Sequence, residues 1–122
     1  MKQILIVDDD LNFRRSLVIQ LELEGYPVKD AESADKAYKL LQKCEFDGWQ
    51  PDVVITDVRM SGMGGEEFTM QLKNEYPDLP VIVLSAYKLP DALAGYPFLG
   101  KPFKLPQLID CINNVIKSNR IR

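Results

Sequence analysis

Short apolar runs recur along the chain, and between them apolar positions fall at helical spacing. Ile4-Leu5-Ile6-Val7 reads as a first strand, Val53–Thr56 as a third and Val81–Leu84 as a fourth. Unbroken apolar runs of this length suit strands buried on both faces. Val28–Ala31 supplies a second strand after the Tyr26-Pro27 turn, and Tyr96–Gly100 a fifth, weakened by Pro97. The helical stretches alternate with them. Leu11–Glu24 places Leu17, Val18 and Leu21 on one face, with Asp10 as N-cap and Gly25 as the stop. Ser33 caps a second helix to about Cys44, turning Ala37, Leu40, Leu41 and Cys44 inward, and polar Glu45–Asp52 reads as a loop. A third helix over Glu66–Tyr76 aligns Phe68, Leu72 and Tyr76. A last one opens near Pro106 and carries Leu108, Ile109, Ile112, Val115 and Ile116 as an apolar stripe.

Strand–helix alternation with short connections predicts an α/β fold: a doubly wound parallel sheet with right-handed crossovers and helices on both faces. The flavodoxin-like five-strand order 2-1-3-4-5 is the economical arrangement, and it sets strands one and three side by side at the switch point. Both strands run abruptly into acid. Asp8, Asp9 and Asp10 follow the first, and Asp57 follows the third. Asp8, Asp9 and Asp57 are therefore expected in one crevice at the carboxyl edge of the sheet, where ligands bind in such folds. Gathered carboxylates repel one another, and a divalent cation such as Mg²⁺ is the natural compensation. A further carboxylate can attack phosphorus to form an acyl phosphate. Ser85 after strand four and Lys101 after strand five could neutralise the equatorial oxygens of a transferred phosphoryl group.

Composition narrows the chemistry further. The 122 residues suit a single domain, 1–122, and 46% hydrophobic with 27% charged residues is ordinary for a soluble protein. A net charge of −3 gives no electrostatic case for binding nucleic acid. The apolar runs are strand-sized, far short of a membrane span, and the first residues lack a secretory signal. Cys44 and Cys111 stand alone, as small core residues, so a cytoplasmic setting is the default. Histidine is absent, which removes Ser–His and Cys–His pairs, imidazole ligands and any phosphohistidine carrier role.

Four pieces together resemble a response-regulator receiver domain of two-component signalling, with the fold of the chemotaxis regulators. They are Ile6-Val7-Asp8-Asp9-Asp10, Ile55-Thr56-Asp57-Val58-Arg59-Met60 with the Gly-rich loop Ser61–Gly65, Val83-Leu84-Ser85-Ala86, and Lys101-Pro102-Phe103. They span nearly the whole chain in the family's order. The resemblance implies that Asp57 is the phosphoacceptor in a Mg²⁺-dependent step. It also implies that Asp9, Asp57 and the Arg59 backbone carbonyl hold the metal, with Asp8 joining through water. Ser85 and Lys101 would contact the phosphoryl group, and the Lys101-Pro102 bond would be cis. The donor would be a phosphohistidine on a sensor histidine kinase or phosphotransfer protein, and the chain would catalyse only its own phosphorylation and dephosphorylation. A phosphoryl group adds about −1.5 to −2 charge. Ser85 would swing to bond it, and Phe98, three residues before Lys101, would pack inward as the switch aromatic.

Two departures stand out. Ser61 replaces the family's usual Pro, and only fifteen residues separate Ser85 from Lys101. That interval is shorter than usual by about one and a half helical turns. Helix four is thus expected to be very short, Pro90–Leu93, or replaced by a loop, which alters the usual output face. Other residues read plainly: Arg59, Lys36, Lys39 and Lys43 as solvated charges, Trp49 as a cap on the core edge, and Tyr87 as packing or as a shield over the site. A receiver fold kept only as an interaction module is one alternative. A phosphatase of the haloacid dehalogenase type is another, through Asp8-x-Asp10. Against the latter, Asn12 stands where that motif has Thr, no acidic pair follows strand four, and the chain is short.

Overall fold

Successive side chains of a strand point to opposite faces, and in this chain that alternation sorts the core into two layers. The computed structural model describes residues 2–47, 50–59 and 64–120. Its elements are β1 (Ile4–Val7), α1 (Leu11–Leu23), β2 (Val28–Ala31), α2 (Ala34–Asp47), β3 (Val53–Asp57) and α3 (Gly65–Glu75). β4 (Val81–Ser85), a 3-10 turn (Asp91–Leu93), β5 (Phe98–Gly100) and α4 (Leu105–Arg120) follow. All strand pairs are parallel, in the order β2-β1-β3-β4-β5 expected from the sequence.

Ile4, Ile6, Val53, Ile55, Ile82 and Leu84 face one side, where Leu17 and Leu21 of α1 and Leu108, Ile112 and Ile116 of α4 close over them. Leu5, Val7, Val54, Val81 and Val83 face the other, against Ala37 and Leu41 of α2, Phe68 and Leu72 of α3, and Leu93. The stripes read from sequence supply these contacts, with Val18, Leu40, Tyr76, Ile109 and Val115 partly buried at their margins. Cys44 and Trp49 lie outside the residues whose side chains the structure describes, as does the loop of residues 60–63 that holds Ser61. Cys111 is a free, half-buried thiol beside the α4 core.

The expected caps form. Asp10 accepts from the Phe13 amide at 3.1 Å, and the Ser33 hydroxyl accepts from the Lys36 amide at 3.2 Å. Gly25 ends α1 with φ of 96°, a left-handed conformation that a side chain resists, while its amide donates to Glu22 and that of Tyr26 to Leu21. Two boundaries differ from expectation. α2 continues to Asp47, so the loop is shorter than Glu45–Asp52. β5 begins at Phe98 rather than Tyr96, because Pro97 has no amide to donate, although its carbonyl still accepts from Val83 at 2.8 Å.

The fourth of the five expected helices is replaced by the single 3-10 turn Asp91–Leu93. Pro90, Gly95 with φ of 94° and Pro97 punctuate this stretch and leave no room for α-helical propagation. Leu93 is nevertheless fully buried, and Leu89 packs beside the same layer. One leucine takes over the covering role of a helix. Among the described residues no helix is long and apolar enough to cross a membrane.

Tyr38 of α2 meets Phe68 edge-on, with ring centroids 5.4 Å apart. Its hydroxyl is buried with no hydrogen-bond partner among the described residues. Burial, and secondarily the charge of Glu75, pushes this phenol from 10.0 up to about 12. The fold therefore favours the neutral phenol, and the associated stability is complete below the unfolded value and lost as pH rises towards the folded one. Denaturant midpoints should fall between pH 10 and pH 12 more steeply for the wild type than for Tyr38→Phe. At neutral pH the variant should match or exceed wild-type stability by up to about 1 kcal/mol, since it removes an unpartnered buried hydroxyl.

Candidate functional site

Strand register decides which chain ends meet. Val7 lies opposite Thr56, so Asp8 and Asp57, the next residues along, are neighbours. Asp57 in turn lies opposite Leu84, and Ser85 opposite Gly100. The Val58 amide donates to the Leu84 carbonyl at 3.0 Å, and the Lys101 amide to the Ser85 carbonyl at 2.7 Å, carrying the pairing past the strand ends. Asp8, Asp9, Asp57, Ser85 and Lys101 therefore arrive at one edge of the sheet from four different strands.

Carboxylate oxygens of Asp8, Asp9 and Asp57 lie within 4.8 Å of one another. Their settings differ. Asp8 is 1% exposed and both its oxygens are engaged, one by the Asp10 amide at 2.9 Å and the other by Lys101 Nζ at 3.0 Å. Asp57 is largely buried, with Lys101 Nζ 3.5 Å from its Oδ1. Asp9 is the exposed member. Burial holds the Asp57 carboxyl above its ordinary range; Lys101 opposes this and the Asp8 charge adds to it. A set of three close carboxylates without softer ligands fits a hard divalent cation of the Mg²⁺ class. Asp10 caps α1, the role expected of it, and lies outside this cluster of three.

Lys101 reaches the acids past an aromatic wall. Its ammonium sits 3.9 Å from the centroid of the Phe13 ring, which meets Phe103 edge-on at 6.2 Å. The Lys101-Pro102 bond is cis, as the sequence resemblance implied. Phe13 escaped the sequence reading, and so did Arg14. Arg14 is buried; its Nε donates to Asp30 Oδ2 and its Nη1 to the Asp8 carbonyl, both at 2.7 Å. The signal was present, since Arg14 precedes Leu17, Val18 and Leu21 at helical spacing and is the one charge on that inner stripe.

Ser85 is 2% exposed, and its Oγ accepts from the Tyr87 amide at 2.9 Å. Tyr87 is exposed, and the Arg59 guanidinium lies 3.9 Å from its ring centroid. Arg59 is exposed, as expected of a solvated charge, and in addition stacks on the outward-turned ring of Tyr87. Lys36 of α2 pairs with Glu32, which precedes the helix. Phe98, the expected switch aromatic, is half-buried against the layer that holds Leu93.

Gly65 opens α3 directly beneath Asp57. Its amide donates to the Val58 carbonyl at 2.8 Å, and a Cβ there would come within 2.7 Å of Val58 Cα and 2.8 Å of the Asp57 carbonyl carbon. Only glycine lets the helix begin this close to the strand end.

The family model for the response regulator receiver domain matches residues 4–113. The C4-dicarboxylate transport transcriptional regulatory protein DctD of Pseudomonas aeruginosa is 33% identical, a match covering 98% of this chain and 26% of that protein. The probable transcriptional regulator ycf29 of Cyanophora paradoxa is also 33% identical, covering 99% of this chain and 59% of its own length. The chain thus spans between about a quarter and three-fifths of these relatives. Among solved structures, a response regulator receiver domain protein from Clostridium thermocellum superposes with a TM-score of 0.87 at 27% identity, over 99% of this chain and 98% of that one. The response regulator TrrA of Thermotoga maritima, solved in complex with Mg²⁺-BeF, gives 0.81 at 29% identity, over 94% and 99%.

The clearance at Gly65 is directly testable. Gly65→Ala should lower stability by about 1–3 kcal/mol through overpacking against backbone. It should also shift the amide resonances of Asp57 and Val58. A variant as stable as the wild type with those resonances in place would show that α3 starts farther from β3.

Proposed function

Because the chain belongs to the response regulator receiver domain family, we propose that residues 1–122 form one receiver unit that accepts a phosphoryl group on Asp57. The observation that carries this reading is the meeting of Asp57 with Asp8 and Asp9 on one side and Lys101 Nζ, 3.5 Å from Oδ1, on the other. The donor is a phosphohistidine on a sensor histidine kinase or histidine phosphotransfer protein. An Asp57 oxygen attacks phosphorus, the P–N bond breaks, and the donor ring, already protonated on its other nitrogen, leaves with the bonding pair as neutral imidazole. The transition state carries charge on three equatorial oxygens, so positioned cations and donors supply most of the catalysis.

Each residue has a part in that step. Lys101 holds its ammonium beside Asp57, opposing the upward pull of burial on its carboxyl and offering a cation to the phosphoryl oxygens. Ser85 offers a hydroxyl once it leaves the Tyr87 amide. Asp9, Asp57 and the Arg59 carbonyl would hold Mg²⁺, with Asp8, whose own oxygens are already engaged, assisting through water. Bound there, the ion would neutralise charge on the phosphoryl oxygens. Ser85 and Phe98 would then report the modification to the segment between β4 and β5. The same proposal places the domain in the cytoplasm, where a free thiol such as Cys111 stays reduced. Its output lies with a partner or with further domains like those of the longer regulators it resembles.

Loss of helix four favours a second reading, an interaction module that is never phosphorylated. Incubation with Mg²⁺ and acetyl phosphate separates the two. Intact-mass analysis should show one added phosphoryl group on the wild type and none on Asp57→Ala. Lys101→Met should slow its addition on the order of 10²-fold. No adduct with any donor, or one that survives Asp57→Ala, would favour the module instead.

A further inference from the structure

Arg14 is one of three buried charged residues among those described, with Asp8 and Asp57. From the first turns of α1 it reaches back across the end of the sheet. Its Nη1 donates to the Asp8 carbonyl and its Nε to Asp30 of β2, each at 2.7 Å, with the side chain 11% exposed. The Asp8 amide is fixed as well, donating to the Ala31 carbonyl at 3.1 Å, and the Asp10 amide is tied to the Asp8 carboxylate. The backbone on both sides of Asp9 is therefore anchored. Arg14 fixes the plane of the Asp8–Asp9 peptide, and that plane sets where the Asp9 carboxylate leaves the chain.

Asp9 is the exposed member of the acidic cluster, and its backbone follows directly from that pinned peptide. We propose that Arg14 is a positioning residue: by pinning the Asp8 carbonyl between α1 and Asp30, it aims Asp9 at the shared cation position and thereby sets the affinity for Mg²⁺. This rests on the reading of the acidic cluster as the Mg²⁺ site. A planar guanidinium is required, since Nε and Nη1 serve two acceptors at once in fixed geometry, which an ammonium on a flexible stem does not reproduce.

Charge alone predicts the opposite behaviour, and that makes the proposal sharp. Removing a cation from beside three carboxylates should tighten the binding of another cation. Losing the aim of Asp9 should weaken it, and groups that orient metal ligands typically govern affinity 10- to 100-fold. The test is a Mg²⁺ titration of the unphosphorylated protein followed by backbone amide shifts, for the wild type, Arg14→Gln and Arg14→Lys. Arg14→Gln should bind Mg²⁺ about tenfold or more weakly than the wild type. Arg14→Lys, which keeps the charge and most of the packing, should also be weakened. Equal or tighter binding by either folded variant overturns the proposal, and Arg14→Lys decides alone should Arg14→Gln fail to fold. A wild-type protein with no saturable Mg²⁺ response overturns instead the underlying reading of the cluster, so the two failures are distinguishable.

Discussion

Three carboxylates are held together at the ends of β1 and β3 by a register that the core does not allow to slip. Moving β1 by one residue against its neighbours would exchange Ile4 and Ile6 with Leu5 and Val7 between the two layers, and all four are fully buried. Burying each such side chain is worth roughly 1.5–3 kcal/mol. Repulsion between two carboxylates about 4 Å apart costs on the order of 1–4 kcal/mol in a partly solvated setting. The apolar layers win, and the acids stay crowded. The rest of the edge is arranged around that excess of negative charge: Lys101 reaches in over the Phe13 ring, the Asp10 amide turns back onto Asp8, and Arg14 holds the backbone behind it.

Crowding of this kind raises the energy of the ionised acids and favours any positive charge placed among them. The Asp57 carboxyl sits above its ordinary range chiefly through burial, with Asp8 adding to the shift and Lys101 opposing it. Groups at the ends of β1 and β5 thus act on this carboxyl in opposite directions. Close approach of α3, permitted by Gly65, sets a helix start against the backbone of that same residue. Perturbing any of these supports alters the site without touching the acids themselves.

Much of this was legible in the chain itself. Apolar runs ending in acid fixed β1 and β3, and the inner stripes of α1, α3 and α4 predicted Leu17, Phe68 and Leu108 as core. Asp10 and Ser33 announced their caps. What stayed hidden depends on contacts between distant residues. Arg14 lies at an inner helical position, yet only the fold shows that its partners are the Asp8 carbonyl and Asp30. The stacking of Arg59 on Tyr87 joins two loops that periodicity does not describe. The shortened interval before Lys101 was visible as a count, but the burial of Leu93 in place of a helix was not. In this chain the face beyond Ser85 is a 3-10 turn flanked by Pro90, Gly95 and Pro97, a segment built unlike a full helix.

The most direct measurement is the carboxyl ¹³C titration of Asp57 in the metal-free protein and again with Mg²⁺. The account predicts a midpoint above the ordinary value of 3.8 without metal, because burial and Asp8 disfavour the charged form. Mg²⁺ should bring that midpoint down, as an ion held against Asp57 favours its charged form. A midpoint that Mg²⁺ leaves unmoved, or one already at or below the ordinary value without metal, would contradict it.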